Sequence, residues 1–365
     1  MTLLPDHINI SAASEALLGL SRLRPRHGAT TLYLLLGNSC TGACAFCSMG
    51  SHGGADYLGR TGVRLSRVDW PSRSVNTLLE ALERLKASSD LAADNPDDGF
   101  ISRPGENIMP GRICIQAVRD MKDRVLGLMS LLGKFGVPMS VSAHVQDKFD
   151  VDDYIAAGAD RVGISLDAAS NLVYERIKSS GEAASDAVKT EFDSRMGLIA
   201  NCAAAWPGKI TTHLIRGIGE GEQEFFETMA TLIEWGAEVG LFAFTPLPGT
   251  PMSNSPRPDI ASYRRLQLAR FLMAESILAR DEVVLSRGVI SDLSLSENQK
   301  NIISVAIENN SLALAFRTSG CPQCNRPYYN EGVMEVPYNY PVQPDASSLR
   351  SAIEMTGLSA LTSLF

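Results

Sequence analysis

A chain of 365 residues, 45% hydrophobic and 20% charged, has ordinary globular composition and enough length for one barrel-sized domain with an appendage, or for two modest domains. Its formal net charge of −8 and sequence pI of about 5.3 argue against the basic surface of a nucleic-acid binder or of a protein that sits on anionic lipid. Residues 1–20 mix Asp6, His7, Ser11 and Glu15 with apolar residues, unlike a signal peptide, and no apolar run is long enough to span a bilayer, so the expectation is a soluble cytoplasmic protein.

In chain order, residues 8–20 read as a short helix. The compact apolar run 31–36, ending at Gly37, reads as a first buried strand. Leu78, Leu79, Leu82 and Leu85 give residues 76–88 helical spacing, and the Asp-, Asn-, Pro- and Gly-rich stretch 89–110 reads as a surface insertion. Strand-like runs then follow at 112–117, 138–142, 161–166, 210–215 and 240–244, with helical runs at 119–135, 150–157, 184–205 and 222–237. Six parallel strands joined by helices predict an α/β fold with right-handed crossovers. The expected division is an N-terminal helical extension over 1–27, a partial (β/α)6 barrel over 28–252, and a C-terminal region over 253–365. That last region opens on a long helix at 259–281 and closes on one at 346–357. In such folds reactive groups gather at the carboxyl edge of the strands.

Seven cysteines, an odd number in a large chain, argue against a disulfide framework. Five of them fall in two tight groups, which points to metal or redox chemistry. The first group, Cys40, Cys44 and Cys47, has C-x3-C-x2-C spacing directly after the first strand. Three thiolates so close together suit iron–sulfur or zinc. A structural zinc site wants four ligands, and His52 is the one near candidate to complete it. Three ligands on a four-iron cube leave one iron open to a small molecule.

This triad, with Phe46 before its last cysteine, resembles the radical S-adenosylmethionine (SAM) superfamily. The resemblance implies a [4Fe–4S] cluster whose open iron binds SAM and, once reduced, generates a 5′-deoxyadenosyl radical. It also implies cofactor contacts at the ends of successive strands: Phe46, Gln116, Ser142 and Ser165, then the glycine turn Gly217, Gly219 and Glu220, then the loop holding Pro248. Asp167, after the fourth strand, is the candidate for touching substrate or cofactor. The resemblance covers roughly 28–252.

The second group is Cys321 and Cys324, in the run Arg317-Thr318-Ser319-Gly320-Cys321-Pro322-Gln323-Cys324-Asn325-Arg326-Pro327. Two ligands do not complete a site. Alternation along 112–117 places Cys114 and Gln116 on one face, and Cys114 is the expected third ligand. Biotin synthase is similar in carrying a cluster-binding cysteine on the corresponding strand. Lipoyl synthase is similar in a C-terminal Arg-Ser-Ser element, which Arg317-Thr318-Ser319 resembles, and this implies Ser319 as a fourth ligand of an auxiliary iron–sulfur cluster. The chain departs from both: it lacks the N-terminal cysteine cluster of ordinary lipoyl synthase, and its third strand has Ser140 and Ser142 but no cysteine. The overall likeness is to a component of the bipartite lipoyl synthase. It implies sulfur insertion into an octanoyl group borne on a lysine of a lipoyl-carrier protein, a second radical SAM protein as partner, and a ferredoxin or flavodoxin as electron donor. Two other readings stay open: an auxiliary cluster used for electron transfer or substrate anchoring, and a non-enzymatic zinc-binding scaffold. Cys202 reads as a packed helix residue.

Overall fold

The structure is a computed structural model that describes residues 3–50, 63–94, 109–178, 186–327, 329–332 and 334–364. His52, Tyr328 and most of the expected insertion at 89–110 lie outside the described residues. The fold is mixed α/β and built on parallel strands. Among the described residues no helix is long and apolar enough to cross a membrane. Contacts group the chain into two units, cut differently from the expected 1–27, 28–252 and 253–365. One unit holds Met1–Ala43, Cys47–Ile164 and Cys321–Tyr329, and the other Cys44–Phe46, Ser165–Gly320 and Asn330–Phe365.

The first unit contains β1 (His7–Ile10), α1 (Ala12–Leu17), β2 (Thr31–Leu36), β3 (Val63–Leu65), β4 (Val68–Trp70), β5 (Ser72–Ser74), α2 (Val75–Asp94), β6 (Arg112–Ala117), α3 (Lys122–Leu132), β7 (Met139–Ser142), α4 (Lys148–Ala156) and β8 (Ala159–Gly163). Its strands lie in the order β8-β7-β6-β2-β1-β5. The pairs β2–β6, β6–β7 and β7–β8 are parallel, whereas β1 pairs antiparallel with both β2 and β5. Every residue of β2 is buried, as its unbroken apolar run foretells. The expected helix over 8–20 is half strand. Ile8 and Ile10 are buried along β1, which covers the β2 edge and so satisfies backbone groups that a helix there would leave unpaired.

The second unit contains α5 (Asn171–Lys178), α6 (Asp186–Ala205), β9 (Ile210–Arg216), α7 (Glu222–Glu234), β10 (Glu238–Ala243), α8 (Ile260–Ala274), β11 (Val283–Ser286), β12 (Val289–Leu293), α9 (Glu297–Glu308), α10 (Ala346–Thr356) and α11 (Ser359–Thr362). Strands β9 and β10 pair in parallel, and β11 and β12 form an antiparallel hairpin absent from the sequence expectation. Helix starts follow local chemistry. The Asp259 side chain accepts the Ser262 N–H at the start of α8, Ser296 and Gln299 form a capping box on α9, and Asp345 caps α10. Helix α10 ends on Gly357 at a φ of 70°, the left-handed stop that suits glycine.

Helix α8 carries a buried guanidinium, Arg264, which donates to Gln267 Oε1 and the Tyr338 carbonyl at 2.7 Å each, leaves its Nε without a partner, and lies over the Phe316 and Tyr340 rings. Nearby Glu331 is buried with one carboxyl oxygen lacking a partner. Burial raises its pKa to about 7, against the opposing pull of backbone hydrogen bonds at Asn339 and Tyr338 and of the Arg264 and Arg257 charges.

Candidate metal centres

Among the described residues none of the seven cysteines is in a disulfide. The loop after β2 folds back on itself: the Cys40 N–H donates to the Met49 carbonyl at 2.7 Å. Two sulfurs already receive backbone hydrogens, Cys40 Sγ from Gly42 N–H at 3.3 Å and Cys47 Sγ from Met49 N–H at 3.4 Å. Such donors suit a sulfur that carries negative charge, so this loop fits thiolate ligation of a cluster. The turn is tight enough that a Cβ on Gly50 would stand 2.7 Å from the Gly42 carbonyl oxygen.

The middle of the cysteine loop, Cys44–Phe46, belongs to the second unit. The Ala45 N–H donates to the Ile177 carbonyl at 2.8 Å, and the Phe46 ring lies under the Lys178 ammonium at 5.7 Å. Lys178 pairs with Asp167 and also lies over Tyr174 at 5.8 Å. Burial opposes its charge, but the Asp167 carboxylate and the Cys44 sulfur outweigh burial and hold the ammonium above its ordinary pKa. Asp167 itself sits at a φ of 68°, and its backbone bridges β9 through His213 and Ile215.

In the first unit, strand register sorts the inward side chains into rows. Thr31 faces Arg112; then come Tyr33, Cys114, Ser140 and Arg161; then Leu35, Gln116, Ser142 and Gly163. The run Cys321–Tyr329 docks at the amino edge of these strands, opposite to the Cys40 loop at their carboxyl edge. Its backbone is held at Pro322, Gln323 and Tyr329. The Thr30 and Thr31 hydroxyls donate to the Gln323 carbonyl at 2.5 and 3.0 Å, and Arg112 Nε donates to the Pro322 carbonyl at 2.9 Å. The Asn325 side chain bridges the Gly28 carbonyl and the Thr30 N–H, and the Ser66 hydroxyl donates to the Tyr329 carbonyl at 2.7 Å.

This docking brings Cys321 and Cys324 to Cys114. Burial pushes the Cys114 thiol well up, and charge on Cys321 and Cys324 pushes it further, while Arg326 and Arg112 pull the other way. Cys321 is raised by burial against a hydrogen bond from Ser140 and the same two arginines. Three thiols with two guanidinium groups beside them form a donor set that fits a negatively charged iron–sulfur cluster. Cys40, Cys47, Cys114, Cys324 and Tyr329 all pack on one apolar cluster built from Tyr33, Leu35, Met49, Trp70 and Val118. Among the described residues no three His, Cys, Asp or Glu side chains converge as a site for a single metal ion.

The remaining expected positions fall as follows. Gln116 and Ser142 are register partners at the carboxyl ends of β6 and β7. The Ser165 carbonyl accepts from Arg195 at 3.2 Å. Gly217 and Gly219 take φ values of 104° and 138° after β9, where a Cβ on Gly219 would meet Arg176. The buried Glu220 side chain accepts the Ala169 N–H at 2.8 Å, with its other oxygen unpartnered. Pro248 lies in the loop after β10, which the Thr250 N–H closes onto the Leu247 carbonyl at 3.2 Å. Ser319 belongs to the second unit, where its hydroxyl oxygen accepts the Leu241 N–H at 2.8 Å. Cys202 is buried on α6, as expected of a packed residue. Sequence reasoning missed Tyr33, Arg112 and Lys178. The first two share the alternation that singled out Cys114, whereas Lys178 carried no local signal.

Neither a family model nor a curated protein matches this chain. Among solved structures it is similar to the FeFe-hydrogenase maturase HydG from Carboxydothermus hydrogenoformans, at 16% identity and a TM-score of 0.46 over 67% of this chain and 51% of that one. A second HydG structure, described as a maturase of the [FeFe]-hydrogenase, is similar at 11% identity and a TM-score of 0.46 over 72% of this chain and 52% of that one. The chain thus spans about half the length of either.

Proposed function

We propose that this chain is a radical SAM enzyme that inserts sulfur into an octanoyl group carried on a lysine of a lipoyl-carrier protein. It would act with a second radical SAM protein and draw electrons from a ferredoxin or flavodoxin. The observation that supports this most is the packing of cysteines from both groups on one apolar cluster, with the loop of Cys40 at one edge of the strands and Cys321 and Cys324 at the other. The apolar cluster of Tyr33, Leu35, Met49, Trp70 and Val118 beside both cysteine groups keeps water from the sulfurs, which suits chemistry on an aliphatic acyl chain. When bound, a four-iron cluster with SAM would supply the radical chemistry for C–H cleavage, and a second cluster would supply sulfide.

The chain's own part is to hold and to shield. Cys40, Cys44 and Cys47 would bind the first cluster, and Cys114, Cys321 and Cys324 the second, with Ser319 the further ligand implied by the lipoyl synthase resemblance. Gln116, Ser142, Ser165, Gly217, Gly219, Glu220 and Pro248 would meet SAM, beside Phe46. Asp167 would serve there by keeping the Lys178 charge in place beside Cys44 and Phe46.

The test is iron and acid-labile sulfide in anaerobically reconstituted protein. About eight irons in wild type, falling to about four in Cys321→Ala/Cys324→Ala, is the expected result for two four-iron cubes. Auxiliary sulfide should then disappear in a single turnover with SAM and octanoyl-carrier. Retention of that sulfide with SAM cleaved would move the second cluster to electron transfer or anchoring. Zinc in place of iron would refute the radical chemistry altogether.

A further inference from the structure

Two hydroxyl groups stand against the sulfurs of the second cysteine pair, and for Tyr33 the surroundings fix which way the hydrogen points. The Tyr33 oxygen accepts two backbone hydrogens, from Asn325 at 3.0 Å and Arg326 at 2.9 Å. Those two bonds occupy the acceptor capacity of the phenol oxygen, so in its contact with Cys324 Sγ at 3.4 Å the tyrosine is the donor. Ser140 stands beside the other sulfur: its oxygen accepts from Arg112 Nη1 at 2.8 Å, its hydroxyl hydrogen is left for a second partner, and its hydrogen bond with Cys321 lowers that thiol's pKa against the effect of burial. Both side chains are buried at 3% exposure and are register neighbours on either side of Cys114.

We propose that Tyr33 and Ser140 are positioning residues that donate hydrogen bonds to the Cys324 and Cys321 sulfurs and raise the reduction potential of the cluster these cysteines hold. A hydrogen bond drains electron density from a thiolate and so favours the more negative, reduced cluster. The inference rests on the reading that the pair holds an iron–sulfur cluster, and it adds which residues set that cluster's potential.

The experiment uses the full chain carrying Cys40→Ala/Cys44→Ala/Cys47→Ala, so that only the second cluster is loaded, and follows potentiometric reduction by electron paramagnetic resonance. Against that background, Tyr33→Phe and Ser140→Ala should each lower the midpoint potential while iron content holds. Tyr33→3,5-difluorotyrosine, a stronger donor of the same shape, should raise it, an opposite shift that a purely structural role would not produce. Tyr33→Phe also frees two loop N–H groups, so if it loses iron the decision passes to Ser140→Ala and the fluorinated residue, which leave the loop backbone bonds in place. Unchanged potentials in those two, with the cluster intact, would overturn the inference and leave the cluster reading standing. No iron bound in the background variant would overturn both.

Discussion

Replacing Arg112 with methionine tests whether docking of the Cys321–Tyr329 run is what builds the second site. The guanidinium, 5% exposed, donates to the Pro322 carbonyl at 2.9 Å and to Ser140 Oγ at 2.8 Å, and pairs with Asp160 at 2.6 Å. Methionine keeps most of the stem but supplies no donor. Each buried hydrogen bond from a charged donor is worth about 1.5 kcal/mol. The Asp160 pair adds less than about 1 kcal/mol, because that carboxylate is 34% exposed and screened by solvent. The sum, about 3–4 kcal/mol, corresponds to a fall of roughly 10 °C in Tm for a domain of this size. Calorimetry reads that shift, and iron analysis of the reconstituted variant should show loss of about four irons with the Cys40 site retained. A Tm within about 1 °C of wild type, together with full iron content, would refute the claim that Arg112 fastens the loop.

Two further outcomes follow from geometry and charge. Gly50→Ala forces the Cys40 loop open, since its Cβ would lie 2.7 Å from the Gly42 carbonyl oxygen, and should cost the first site its iron while leaving the Cys321 site loaded. Glu331 has a folded pKa of about 7 against an ordinary 4.5, so the folded state holds its proton more tightly than the unfolded state does. Its contribution is therefore intact below pH 4.5, is lost as pH rises to about 7, and costs about 3 kcal/mol above that. Glu331→Gln should accordingly stabilise the protein at pH 8 and change little at pH 4.5, as read from urea midpoints; an equal effect at both pH values would refute the assignment.

Much of the parallel-strand framework is written in local pattern. Strand β2 announces itself as an apolar run bounded by Gly37, and the alternation that puts Cys114 and Gln116 on one face is the alternation that β6 displays. The same alternation on β2 selects Tyr33, and on β7 it selects Ser140, yet neither residue type signals chemistry until a sulfur stands beside it. Strand β1 escaped because its apolar residues also fit the start of a helix, and only the unpaired edge of β2 decides between the two. The return of Asn325 to Gly28 and Thr30 is a pairing of residues almost 300 positions apart (|i−j| 297 and 295), which no local periodicity encodes. Lys178 depends likewise on Asp167 adopting a left-handed backbone where it bridges β9.

The pinning of Cys321–Tyr329 onto strands made near the start of the chain also sets an order in time. During synthesis at ~5–20 residues per second, roughly 10–40 s separate β6 from the segment that will cover its amino edge. Through that interval Thr30, Thr31 and Arg112 have no loop carbonyls to bind, and Cys114 waits without its two companions. The Cys40 loop, by contrast, has its Cys40–Met49 backbone bond available as soon as residue 49 is made, while Ala45 waits for Ile177 and Met252. A nascent chain can therefore form the Cys40–Met49 turn at one edge of its strands well before the Cys321–Tyr329 run reaches the other, so the two groups of cysteines are set in place at different times.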